Sequence, residues 1–220
     1  AQLVPHVAAI HDRLVVEIQR GCTRGCRFCH AGTVYRPTRM RSAGQVIEIV
    51  DQALRTTGHD EVSLLSLSAG DYAGLSDLLY ELMRRHGPER VSLSLPSMRV
   101  ESLSPALLEE IRKVRKTGFT IAPEAATQRL RDVINKGNTE EDLLGSVEAA
   151  FNAGWNLVKL YFMVGLPTET DGDAAAIADL CGRALRVARG ARRGARFNVS
   201  VSTFVPKAHT PFQWAPMRRF

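Results

Sequence analysis

Three of the four cysteines crowd into one short run, Gly21-Cys22-Thr23-Arg24-Gly25-Cys26-Arg27-Phe28-Cys29. Thiolates are soft ligands that select zinc, copper(I) or iron–sulfur centres, and the spacing C-x3-C-x2-C puts three of them on one loop. Structural clusters and closed zinc sites use four protein ligands. Three leave a metal position open, which is what chemistry on a bound molecule requires. Gly21 and Gly25 let the loop wrap tightly, because glycine tolerates backbone angles that other residues avoid. A zinc site completed by His30 is the alternative, although adjacent ligands fit a tetrahedral centre poorly. Cys181, beside Leu180, reads as a buried, inert thiol.

The elements that must position this loop alternate between strand and helix. Leu14 to Gln19 forms a strand running straight into Gly21-Cys22. Further strands are expected over Val62 to Leu67, Val91 to Leu95, Phe119 to Ala122, Leu157 to Val164 and Phe197 to Phe204. Between them the pattern gives a helix capped by Ser42 and ended by Gly58, and one carrying Leu75, Leu78, Leu79 and Leu82. A third opens at Ser104-Pro105. Two pieces follow, near Thr127 to Ile134 and Thr139 to Ala153, and a last helix starts near Asp171. Such alternation implies an α/β fold with a parallel sheet inside and helices outside. A closed eight-fold barrel typically takes about 250 residues. The 220 residues here suit an open, partial (β/α)6 TIM-like barrel. Active sites of such barrels sit at the carboxyl ends of the strands. The unusual segments fall there: Gly21 to His30, Ser68 to Asp71, Pro96 to Arg99, Pro123 to Arg129, Gly165 to Thr170 and Pro206 to Pro211.

Cysteine clustering argues for a reducing compartment, hence the cytoplasm, rather than for a disulfide scaffold. No apolar run reaches the ~20 residues that cross a bilayer, and the mixed start from Ala1 to Arg13 is not a signal peptide. The chain lacks an initiator Met and reads as one domain, residues 1–220, excised from something longer. The net charge is +6. Arg183, Arg186 and Arg189 recur on one helix side, followed by Arg192, Arg193 and Arg196. Such a stripe could track RNA phosphates. A solvated helix face is the reading favoured instead, since no aromatic residues interleave the run for base stacking.

C-x3-C-x-aromatic-C after the first strand of a βα barrel resembles the motif of the radical S-adenosylmethionine (SAM) superfamily. The resemblance implies a [4Fe-4S] cluster on Cys22, Cys26 and Cys29, with SAM's amino and carboxylate groups on the fourth iron. It implies reductive cleavage of SAM to methionine and a 5′-deoxyadenosyl radical, which abstracts hydrogen from a substrate. An electron donor of flavodoxin or ferredoxin type would be needed. Phe28 is placed beside the adenine. Ser68-Ala69-Gly70-Asp71 stands where the family has Gly-Gly-Glu, whose backbone and carboxylate hold SAM's ammonium. Ala69 and Asp71 depart from that pattern, and Asp71 could instead cap the following helix. Ser97 is a candidate for the ribose, and Arg99 for a carboxylate or the substrate, with a simple turn as the alternative. Glu124 supplies a ribose acceptor and Arg129 a cation for the methionyl carboxylate, with Lys136 as the rival cation.

Gly165-Leu166-Pro167-Thr168-Glu169-Thr170 and the Thr210-Pro211 turn are similar to the subgroup of methylthiotransferases, the elongator catalytic subunit and nitrogenase-cofactor synthases. In that subgroup the first turn helps enclose adenine and the second lines the substrate side. His209 is a candidate proton donor or a solvated loop residue. The wording from Ala122-Pro123-Glu124-Ala125 to Asn135-Lys136-Gly137 is similar to a branch with a B12-binding domain ahead of this core. Cobalamin, if used, would lie outside this chain. RNA modification is the alternative within the superfamily. A non-catalytic, zinc-stabilised RNA-binding module is the alternative outside it.

Overall fold

The computed structural model describes residues 4–7, 9–95 and 119–218. The turn from Pro96 to Arg99, with the candidate Ser97, and the helix expected at Ser104-Pro105 lie outside the described residues.

Alternation of apolar residues makes β1 (Leu14–Glu17), with Leu14 and Val16 buried and Val15 exposed on the other face. The strand expected over 14–19 is interrupted. After Ile18 the chain forms β2 (Gln19–Arg20), which pairs antiparallel with β3 (Arg39–Met40). The short helix α1 (His30–Val34) lies between them. Next comes α2 (Ala43–Thr57), whose start is a reciprocal cap between Ser42 and Gln45 and whose end is Gly58 in the left-handed conformation. β4 (Glu61–Leu65) runs parallel to β1 with Leu64 opposite Val16. α3 (Leu75–His86) buries Leu75, Leu78, Leu79 and Leu82 at helical spacing. β5 (Ser92–Ser94) completes a sheet ordered β1-β4-β5.

The second half repeats the pattern. β6 (Phe119–Glu124) leads to α4 (Gln128–Val133) and α5 (Glu140–Asn152). β7 (Leu157–Val164), α6 (Asp171–Ala191) and β8 (Arg196–Thr203) follow. These strands make a parallel sheet ordered β6-β7-β8. Thr127, Thr139 and Thr170 accept backbone N–H groups at the starts of the three helices, as N-cap hydroxyls do.

One core packs α2 and α3 on β1, β4 and β5 through Val46, Val50, Leu64 and Leu82. The other packs α5 and α6 on β6 and β7 through Val147, Phe151, Leu160, Phe162 and Ala184. Helices therefore cover one face of each sheet. The opposite face carries the exposed Val15, Leu65 and Tyr161. The architecture is an open, partial α/β barrel of parallel strands, as anticipated. No helix among the described residues is long and apolar enough to cross a membrane.

The arginine stripe is partly committed within the fold. Arg183 holds Glu140 through two bonds of 2.5 and 3.0 Å, and Arg192 donates to Asn156 at 2.6 Å. Arg186, Arg189, Arg193 and Arg196 are exposed where α6 ends and β8 begins. That is the amino end of the strands, opposite the cysteine loop. Cys181 packs against the second core, and burial pushes its thiol pKa up.

Candidate active site

The cysteine loop begins where β2 ends, at Gly21. Its φ of +83° is open to glycine, and a Cβ there would stand 2.6 Å from the Tyr35 carbonyl oxygen. Gly25 takes a second positive φ, +72°. Cys29 N–H donates to the Cys26 carbonyl at 3.1 Å, and Cys29 then opens α1, its Sγ accepting Gly32 N–H at 3.3 Å. A side chain on Gly32 would reach within 3.5 Å of Cys29 Sγ and 4.0 Å of Cys22 Cβ, so these two cysteines flank the same space. All three thiols are free and partly exposed. Among the described residues, no three His, Cys, Asp or Glu side chains converge on a single-ion site. An all-sulfur, three-ligand loop left open on one side suits an iron–sulfur cluster by its donor chemistry.

Both halves of the molecule hold this loop. Arg24 reaches Asp71 in a two-pronged ion pair, Nε to Oδ2 at 2.8 Å and Nη2 to Oδ1. Asp71 lies in the 3-10 turn Ala69–Asp71 after β4, where Ala69 is fully buried. It does not cap α3, which is entered at Gly74 without a side-chain cap. From the second half, the end of α4 docks on the loop. Arg27 N–H donates to the Ile134 carbonyl at 2.9 Å, and its Nη1 reaches the carbonyls of Asp132 and Val133 at 3.2 and 2.6 Å. Asn135 stands at φ +52° and its Nδ2 donates to the carbonyls of Arg24 and Gly25 at 3.3 and 3.0 Å. The Phe212 N–H donates to the Arg27 carbonyl at 3.3 Å. Phe28 packs on a small cluster of Ala125, Leu130, Ile134, Leu166 and Phe204, at the ends of β6, β7 and β8.

Glu124 ends β6 in the left-handed region, φ +69°, beside a register shift against β7. A non-glycine residue held there stores strain that the surroundings must impose. Lys136 donates to its carboxylate at 3.1 Å, and both side chains are mostly buried. Below them Arg131, 1% exposed, donates to the carbonyls of Ala125 and Ala126 at 3.1 and 2.8 Å. Burial lowers its pKa.

Arg129 is directed elsewhere. Its guanidinium donates to Thr168 Oγ1 at 3.1 Å, to the Thr168 carbonyl at 3.0 Å and to Asp173. Of the two rival cations, Lys136 is the one that stands beside Glu124. Glu169 closes its own turn, accepting the N–H groups of Gly165 and Leu166 at 2.8 and 3.4 Å. His209, exposed at φ +63°, faces His30 with ring centroids 6.3 Å apart.

Sequence reasoning missed the docking of α4 on the loop, the Arg24–Asp71 pair, the buried Arg131 and the Asp173 hub. The Thr170-x-x-Asp173 spacing of a capping box carried a local signal for Asp173. Arg24 reaches Asp71 across 47 positions and Asn135 reaches the loop across 110 and 111, and no local pattern announces them.

The chain is 34% identical over 199 residues to an uncharacterized protein of Methanocaldococcus jannaschii, covering 90% of this chain and 42% of that one. It is 29% identical over 216 residues to the ribosomal protein uS12 methylthiotransferase RimO of Desulfotalea psychrophila, covering 91% and 46%. It thus spans less than half the length of these relatives. The radical SAM methyltransferase TsrM of Kitasatospora setae, solved with cobalamin and a [4Fe-4S] cluster bound, superposes with a TM-score of 0.65. That match covers 91% of this chain and 38% of the other at 17% identity, a likeness of fold. The family model of the radical SAM superfamily matches residues 16–181. With its three-cysteine loop at the carboxyl end of the first strand, the chain belongs to the radical SAM superfamily.

Proposed function

We propose that Cys22, Cys26 and Cys29 hold a [4Fe-4S] cluster whose open iron takes the amino and carboxylate groups of SAM. Such a cluster, once reduced by an external electron donor, would supply the one-electron chemistry that cleaves SAM to methionine and a 5′-deoxyadenosyl radical able to take hydrogen from a substrate. The chain's own residues orient the reactants and exclude water. Ala69 and Gly70 offer backbone groups to the SAM ammonium. Asp71 serves that end of the site by anchoring Arg24, and so the loop. Glu124 accepts a ribose hydroxyl, Lys136 offers its charge to the methionyl carboxylate, and Phe28 lies against the adenine. Ser97 completes the ribose contacts. Arg129 supports the site from the side, by tying α4 to the turn at Thr168.

The observation that carries this reading is the three-cysteine loop clamped between Asp71, after β4, and Ile134-Asn135 at the end of α4. The share of the relatives' length that is covered supports reading residues 1–220 as one core domain of a larger protein. The likeness to a cobalamin-bound methyltransferase supports a cobalamin module on a flanking domain. A flavodoxin or ferredoxin is the fitting electron donor, and the cytoplasm the fitting compartment for an oxygen-sensitive cluster.

The test is anaerobic reconstitution with iron and sulfide, followed by SAM and dithionite, with 5′-deoxyadenosine measured by mass spectrometry. Wild-type protein should produce it, and Cys26→Ala should not. Colourless protein carrying one zinc per chain, with no product, would refute the reading.

A further inference from the structure

We propose that the β2–β3 ribbon is a phosphate-holding subsite for a single-stranded RNA substrate, resting on the radical SAM reading of the adjacent loop. Arg20 and Arg39 stand directly opposite each other in this antiparallel pair. Like charges in that position weaken a sheet, and a two-stranded ribbon is marginal to begin with. Repulsion has been built into an element that gains little from it in folding.

Within the chain the repulsion is only partly relieved. Glu17 accepts two bonds from Arg20, at 2.9 and 2.6 Å. Arg41 donates its Nε to the Glu17 carbonyl at 2.9 Å. The exposed Arg39 pairs through its backbone with Arg20, while its side chain makes no hydrogen bond among the described residues. Residues 17–20 and 39–41 line an open cavity of about 210 Å3. Its lining carries three arginines against one glutamate, so an anion is the complementary occupant.

The position of the cavity gives the anion its relevance. Gly21 joins the ribbon to Cys22, and the backbone of Tyr35 and Pro37 lies directly against it. The ribbon that lines the cavity therefore runs straight into the cysteine loop along the chain. Tyr35 is half exposed and its backbone stands against Gly21, next to Arg20 in the chain, and its ring offers a stacking face of the kind bases use. Arginine with an adjacent exposed aromatic is the combination that holds single-stranded nucleic acid.

The more obvious stripe on α6 lacks both properties. Its free members lie at the amino end of β8. An eight-residue strand is roughly 25 Å long, so RNA gripped there would be held that far from the cysteines.

The experiment measures anisotropy of a fluorescein-labelled mixed-sequence RNA 12-mer on anaerobically reconstituted protein, from 50 to 200 mM KCl. Each phosphate contact on a single strand contributes about 0.7 to the slope of log K against log salt. The double variant R20Q/R39Q should flatten the slope by about 1.4, so the fourfold rise in salt costs it about sevenfold less affinity than wild type. R186Q/R189Q should keep the wild-type slope. The melting temperature of R20Q/R39Q should stay close to that of wild type, because relief of the opposed charges offsets loss of the exposed Arg20–Glu17 pair, and this shows the ribbon is folded. Wild-type affinity and slope in R20Q/R39Q, loss on R186Q/R189Q instead, or no RNA binding by wild type would each overturn the subsite. SAM cleavage without RNA is scored separately: RNA held by the ribbon with no 5′-deoxyadenosine formed would overturn the radical reading alone.

Discussion

Replacing Asp173 by alanine removes the carboxylate on which the starts of α4 and α6 meet. Its oxygens accept Thr127 Oγ1 at 2.6 Å, Thr170 Oγ1 at 2.7 Å and Thr170 N–H at 2.9 Å, and they also take Arg129. The residue is 7% exposed. Hydrogen bonds to a buried charged group contribute roughly 1.5–3 kcal/mol each, and such values do not add fully. The Arg129 side chain is nearly half exposed, so its share is discounted to at most about 1 kcal/mol. Asp173→Ala should therefore lose about 3–5 kcal/mol and Asp173→Asn about 1.5–3 kcal/mol. In a chain of this size each kcal/mol moves the melting temperature by about 2–4 °C, so the alanine variant should melt roughly 6–20 °C lower at pH 7. The pH dependence gives an independent check. Burial raises the carboxyl pKa, but the bonds from Thr127, Thr170 and Arg129 outweigh it and hold it well below the ordinary carboxylate range. A depressed folded pKa contributes stability above the unfolded value of 3.8, lost as pH falls through the folded one. Calorimetry should thus find a constant gap between wild type and Asp173→Ala from neutral pH to about pH 5, narrowing below about pH 4. A gap under 2 °C at pH 7, or one that stays constant into acid, would refute the hub.

Two further substitutions probe the loop itself. Gly21→Ala forces a Cβ to within 2.6 Å of the Tyr35 carbonyl at a positive φ; the left-handed backbone alone costs about 1–2 kcal/mol. Reconstituted Gly21→Ala should hold clearly less iron than wild type, and full iron content would count against the close approach. Asn135→Ala deletes two donors to the loop carbonyls, at about 1 kcal/mol each, so a chelator should strip its iron roughly 5–30-fold faster. Asn135→Gly keeps the φ of +52° accessible and should show the same acceleration if the bonds, rather than the backbone angle, matter.

Periodic features were legible in the sequence. Leu75, Leu78, Leu79 and Leu82 announced α3, and Leu157 to Val164 came out as β7 with the expected bounds. Ser42 and Gly58 marked the ends of α2 because capping chemistry is local. What stayed hidden is short or long-range. α1 spans five residues and β3 two, too few to show a period. β6 ran on to Glu124 through Pro123, which reads as a stop, and the bulge there turns on pairing with β7. Asp71 was visible as a carboxylate at a strand end. Its commitment to Arg24 depends on two loops meeting in space. Glu124 and Lys136 were both named, yet only the fold puts them 3.1 Å apart while sending Arg129 to Thr168.

The contacts on either side of Gly25 have a mechanical meaning. A stretch of nine residues is tied to Asp71 on one flank and to Ile134 and Asn135 on the other, so it stitches the seam between two separately packed hydrophobic cores. Iron seated on this thread would tighten the seam as well as equip it for chemistry, because metal affinity at a site formed only by the folded chain is also folding free energy. Oxygen that dissolves the metal would then slacken the whole barrel, and damage to the cofactor would register as a looser protein.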